Sequence, residues 1–197
     1  MKIDIFTLFY KMPLFLFALR DRAFNILAKR EFKKMEGAFM KPKLLQGCKY
    51  ISIGTGTVIA DGAIITAIDK YKGKTFMPSI TIGDGCVLGE SIHITACGNI
   101  AIGNRVLTGR YVFISDNSHG DTTMKDLSIP PTLRPLRIKG DVCIGDDVWL
   151  GERTTILSGV NIGKNVIIAA NSVVTHDIPP FCVAAGVPAK VIKQMKN

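Results

Sequence analysis

Three histidines, His93, His119 and His176, are the side chains of this chain whose unperturbed pKa suits proton transfer at neutral pH. His93 lies in Ser91-Ile92-His93-Ile94, where it reads as an ordinary turn residue, structural or at the surface. His176 lies in Thr175-His176-Asp177 near the C-terminus. His119 ends the run Ser115-Asp116-Asn117-Ser118-His119-Gly120, at the mouth of a stretch broken by Pro130, Pro131 and Pro135. A base at the mouth of a long connection sits where chains usually carry function. The cysteines, Cys48, Cys86, Cys97, Cys143 and Cys182, are odd in number and scattered, with no CxxC pair. They are expected to be buried, reduced thiols of a cytoplasmic protein.

The elements that must position these groups are legible as a period of six. Ile53, Ile59 and Ile65 start it. Ile82, Leu88 and Ile94 follow, then Ile102, Thr108 and Ile114. From Ile138 the same phase runs through Ile144, Leu150, Ile156, Ile162, Ile168 and Val174. Four residues after many of these stands a small or β-branched side chain, as at Thr57, Ala63, Val106, Ser118, Thr154 and Ser172. The position directly after is often glycine, which is expected to permit the backbone turn. Six residues make one short strand and one turn. Three such sides close a coil of about 18 residues that buries its face by stacking on the next. Two interruptions break the repeat, a short one at Asp69–Ser79 and a longer one from about Gly120 to Arg137. In a solenoid, insertions leave the coil as loops.

The charge is +9, with 25 Lys/Arg against 16 Asp/Glu. Residues 1–43 hold 10 basic against 4 acidic (+6), and residues 44–197 hold 15 against 12 (+3). The body therefore lacks the basic stripe a nucleic acid would need. Near the N-terminus the apolar runs Phe6–Tyr10 and Pro13–Leu19 are too short to span a bilayer. From Phe15 to Phe39 the spacing is helical, with Phe24, Leu27 and Ala28 on one face and Lys29, Lys33 and Lys34 on another. Such a segment either caps the body or lies on an anionic lipid surface as a peripheral contact. The expected organisation is a helical, basic and apolar segment 1–45, a repeat body 46–193 with a loop at 120–137, and a tail 194–197.

The hexad resembles that of the hexapeptide-repeat acyltransferases over roughly residues 51–193. It is most similar from Ile144 to Lys193, IGDDVWLGERTTILSGVNIGKNVIIAANSVVTHDIPPFCVAAGVPAKVIK, where it looks like the sugar and polysaccharide O-acetyltransferases. The resemblance implies a mainly β fold, a left-handed parallel β-helix, and a cytoplasmic homotrimer with each site between two subunits. It implies transfer of an acetyl group from acetyl-CoA to a sugar hydroxyl, with His119 as catalytic general base and no metal. The carbonic anhydrases that share this fold bind zinc through closely spaced histidines, a pattern absent here. The resemblance also marks Trp149, Gly151, Ala170 and Thr175 along the pantetheine arm of coenzyme A, and Lys190 and Lys193 near its phosphates. His176 stands where the family usually has Lys. Glu90, or Gly89, falls near the family's acceptor-binding Asn. Asp116 and Asn117 orient the imidazole, hold acceptor hydroxyls, or stabilise a turn. Another acceptor (serine, a sugar amine or a drug) and a non-catalytic scaffold are the competing readings.

Overall fold

The computed structural model describes residues 19–121 and 123–195. Short strands two to six residues long wind around a triangular prism and stack in register as three parallel sheets. On the first face Ile53, Ile82, Ile102, Ile144 and Ile162 are successive partners. On the third face Ile65, Ile94, Ile114, Ile156 and Val174 line up the same way. On the second, Ile59 pairs with Leu88, and Thr108, Leu150 and Ile168 follow. These residues are all buried, so the period of six is the core itself. The expected left-handed parallel β-helix is the fold found.

One member of the series departs from it. Ile138 keeps the phase yet is 40% exposed, because it pairs antiparallel with Asn117 in the arm of the long loop. Ser118, its counterpart among the small residues, belongs to the same arm.

The glycines of the hexad are needed for a different reason from the one expected. The left-handed turn residue stands three positions after the buried aliphatic: Gly56, Gly62 and Gly85, but also Arg105, Tyr111, Asp147, Arg153, Asn165 and Asn171. The glycine directly after the aliphatic has no positive φ. It faces the next coil, where a Cβ on Gly109 would lie 2.6 Å from Glu152 N and one on Gly151 2.4 Å from Ala170 N. It is a contact glycine that lets neighbouring coils close to hydrogen-bonding distance.

The β-helix also begins earlier than the sequence suggests. Lys34–Met35, Ala38–Phe39 and Leu44–Gln46 form a complete first coil, each paired to the second. The helix expected over 15–39 covers 19–28 within the described residues, and Leu27 faces out at 66% exposure. Phe24, Ala28 and Phe32 close the end of the prism, with Phe24 and Phe32 packed on the Phe39 ring. Asn25 completes the cap: its amide accepts from Phe39 N and donates to Phe39 O, both near 2.8 Å. One side chain thus occupies the strand edge that another chain could otherwise extend. At the other end Ala189–Gln194 turns back antiparallel on Cys182–Gly186.

Both insertions leave after the third face, at the edge it shares with the first. The short one is a hairpin, Lys70–Tyr71 against Lys74–Thr75, turning through Lys72 and Gly73, both with positive φ. The long one is an ordered arm in which Asn117–His119 pairs with Leu136–Ile138. Phe76, Cys97 and Leu136 form a small core that fixes both insertions to the coil.

Candidate active site

His119 projects from the arm, its imidazole exposed and edge-on to the Tyr71 ring at 5.7 Å. Tyr71 comes from the hairpin and is anchored by its neighbour, since Lys72 Nζ donates to the carbonyl of Thr132 on the long loop. Tyr71, His119, Pro131 and Thr132 therefore wall one recess, where the two insertions converge on the histidine. Beneath it a cleft of about 270 Å³ runs down to the third face, with Thr95, Ser115 and Asn117 among its lining groups. A second cleft, about 280 Å³, shares Phe113, Ser115, Asn117 and Ser118 with the first and continues past Lys139 and Ser158 to Thr175. A groove thus follows the edge of the prism from the hairpin to the sixth coil. Among the described residues no side chain hydrogen-bonds the His119 ring, so its nitrogens are available to a ligand.

His93 belongs to this site, contrary to its reading as a turn residue. It starts the strand His93–Ala96, pairs with Phe113, and packs its ring against that side chain at 5.0 Å. It lines the first cleft together with His119. Burial lowers its pKa below the ordinary histidine value, which keeps the imidazole neutral. Tyr71 was not singled out from sequence either, because an insertion obeys no period.

Asp116 and Asn117 separate on inspection. Asp116 is fully buried, and its carboxylate accepts from the N–H groups of Cys97 at 2.8 Å and Gly98 at 2.7 Å. It therefore secures the exit of the arm, and contact with a ligand is excluded by burial. Burial, with this charge beside it, pushes the Cys97 thiol up to about 12. Asn117 donates to Thr95 O at 3.2 Å and to Asp116 Oδ1 at 3.0 Å while lining both clefts. Glu90 does not join them. It sits at the turn between second and third faces, 3.4 Å from Arg110 Nε.

The residues marked for coenzyme A fall in two groups. Thr175 lines the second cleft, and its hydroxyl lies 2.8 Å from Nδ1 of His176. The others lie on or beside the second face. Trp149, Ile167, Val183 and Lys193 are successive partners in one row of that sheet, and Lys190 pairs with Ala185 next to it. Gly151 and Ala170 stack at the turn that follows the same face. In a triangular prism the edge bearing His119 lies opposite the second face, with the core between them. Within one chain the two groups look in opposite directions. Among the described residues, no three His, Cys, Asp or Glu side chains converge as metal ligands.

A parallel β-helix with its loops gathered on one edge around a histidine is the class of protein that geometry defines. Residues 142–176 match the family model described as bacterial transferase hexapeptide (six repeats). Over that span the chain is similar to the repeat of the hexapeptide family. The lipopolysaccharide biosynthesis protein WbbJ of Escherichia coli, described as a putative O-acetyl transferase, is 41% identical over 122 residues, 60% of this chain and 62% of that one. Galactoside O-acetyltransferase of Escherichia coli is 35% identical over 124 residues, covering 60% and 56%. The chain thus spans about three fifths of the length of these relatives. AntD, an N-acyltransferase from Bacillus cereus solved with dTDP and 3-hydroxybutyryl-CoA, is similar at TM-score 0.68 and 20% identity, over 86% of this chain and 87% of that one. At that identity the likeness is one of fold.

Proposed function

We propose that this chain is an acetyl-CoA-dependent O-acetyltransferase acting on a hydroxyl of a sugar or surface-polysaccharide precursor. The observation that carries the proposal is the exposed His119 imidazole in a cleft walled by both insertions, which shares Phe113, Ser115, Asn117 and Ser118 with a second cleft leading to Thr175. The identity to two proteins named as O-acetyltransferases supports the reaction, and their names support a sugar acceptor. The acceptor occupies the cleft under Tyr71, and the thioester arm of acetyl-CoA reaches His119 from the Thr175 side. His119 removes the proton of the attacking hydroxyl as the oxygen bonds to the acetyl carbonyl carbon. The C–S bond then breaks, and the imidazolium returns its proton to the departing thiolate of coenzyme A. An alcohol is a poor nucleophile without such a base, whose contribution is typically about 10²–10⁴-fold.

The opposed orientation of the two groups of residues bears on assembly. Val58, Val87, Leu107 and Trp149 form an outward apolar row along the second face, each at least 40% exposed. Such a row suits packing against another copy, as in a homotrimer. Trp149 and Lys193 of one subunit then serve the His119 groove of its neighbour.

The test is release of coenzyme A thiol from acetyl-CoA over a panel of sugars, amino acids and lipid-linked glycans. Turnover with a sugar, reduced about 10²–10⁴-fold by His119→Ala with an unchanged melting temperature, is the expected outcome. Unaltered turnover in that variant removes His119 from the chemistry. Absence of turnover with every acceptor leaves the scaffold reading.

A further inference from the structure

The helix over residues 19–28 has two apolar faces, and the β-helix uses one. Phe24 and Ala28 pack onto the first coil. The opposite stripe, Leu19, Ala23, Ile26 and Leu27, follows the i, i+4, i+7, i+8 spacing of a single helix face and points to solvent. Ile26 is 62% and Leu27 66% exposed, a large apolar display for the described turns of this helix. Exposed cations border it at Arg22, Lys29, Arg30 and Lys33, and the surrounding sequence holds most of the net positive charge. Beside it opens an apolar recess of about 430 Å³, lined by Phe24, Leu27, Phe32 and Leu45, with Arg30 and Glu31 as its charged groups. The relevant pairing is apolar side chains backed by cations at the end of the prism.

We infer that this end of the prism docks on an anionic lipid surface, with Ile26 and Leu27 in the headgroup–acyl boundary and Arg30 and Lys33 against lipid phosphates. Charge complementarity selects that occupant. A second positively charged copy of the same end meets the stripe with like charges, whereas an anionic bilayer satisfies both components. No helix among the described residues is long and apolar enough to cross a membrane, so the contact is peripheral. Docking at one end leaves the edge groove free along the side of the prism. The inference concerns binding alone and stands independently of the proposed reaction.

The experiment is sedimentation of the full chain with vesicles of phosphatidylcholine alone and of phosphatidylcholine with three tenths phosphatidylglycerol. Binding to the anionic vesicles, weakened at least tenfold in 0.5 M salt, is expected because the Debye length shortens from about 10 Å at 0.1 M to a few Å. The double variant Ile26→Asp, Leu27→Asp removes exposed side chains and should lose at least tenfold in binding while keeping its far-UV spectrum and melting temperature. Arg30→Glu with Lys33→Glu should lose as much on anionic vesicles. Three results overturn the inference. One is equal binding to both vesicle types, and another is unaltered binding by the aspartate variant. The third is a change in the solution mass of that variant, which assigns the stripe to contact between copies.

Discussion

At the scale of single residues, the two imidazoles of the first cleft differ in environment and therefore in work. His119 is exposed on a loop arm, free to exchange a proton with a ligand; His93 is half-buried on a strand against Phe113. A neutral imidazole offers one donor and one acceptor, the complement of a sugar hydroxyl. His93→Ala is therefore expected to raise KM for the acceptor about tenfold, the range for one hydrogen bond of about 1.4 kcal/mol, with kcat within about twofold. His93→Gln, which keeps a donor and an acceptor, should recover most of the loss. A fall in kcat at constant KM would assign His93 to the chemical step instead. The same burial has a pH signature. Because the folded pKa lies below the unfolded one, the unfolded chain binds more protons as pH falls through about 6.5, and stability declines there. A ring titration followed by NMR should place His93 below the ordinary histidine value. The place of His119 in the cleft was legible because the chain has few histidines and its position was marked by the end of the repeat. His93 was not, since strand and turn positions of a six-residue unit lie one residue apart.

Elements explain why the repeat reads so clearly yet its edges do not. A period survives in sequence where each residue meets the same neighbours in every coil, as Ile53, Ile82 and Ile102 do. The first coil escaped because it is closed by Phe39 and the helix cap instead of by another coil, so bulky aromatics replace the usual pattern. Likewise Ile138 kept the phase without the burial because it pairs in an antiparallel arm. The two kinds of glycine supply a direct test of which constraint each obeys. Gly109→Ala places a Cβ 2.6 Å from Glu152 N, backbone against backbone, and the coils must part. A loss of about 1–3 kcal/mol is expected, as for overpacking elsewhere. Gly56 has φ +69 with nothing within 4 Å of an added Cβ, so Gly56→Asn meets only the left-handed preference. Its cost should stay below about 1 kcal/mol, because asparagine tolerates that region. Urea unfolding of the two variants decides it, and equal losses would return the hexad glycine to a turn role.

For the whole molecule, the decisive fact is that His119 and the Trp149–Lys193 row face away from one another across the core. No rotamer change brings them together; in the proposed homotrimer a second subunit does. This arrangement predicts complementation between variants that are inactive alone. His119→Ala removes the base and leaves the second face intact. Lys190→Glu with Lys193→Glu repels the phosphates of coenzyme A and leaves the base intact, and both lysines are exposed, so the coil is undisturbed. In a cyclic trimer, a site built from one chain's edge and its neighbour's second face is whole only when the first donor is the lysine variant and the second the histidine variant. Random reassembly of equal amounts should then restore about a quarter of the sites, and thiol release should rise to about a quarter of the wild-type rate. Mixing without unfolding and reassembly should restore nothing, which separates exchange of subunits from trace contamination. If reassembled mixtures stay as inactive as their parents, base and phosphate contacts come from the same chain, and the path of coenzyme A must run around the prism instead of across an interface.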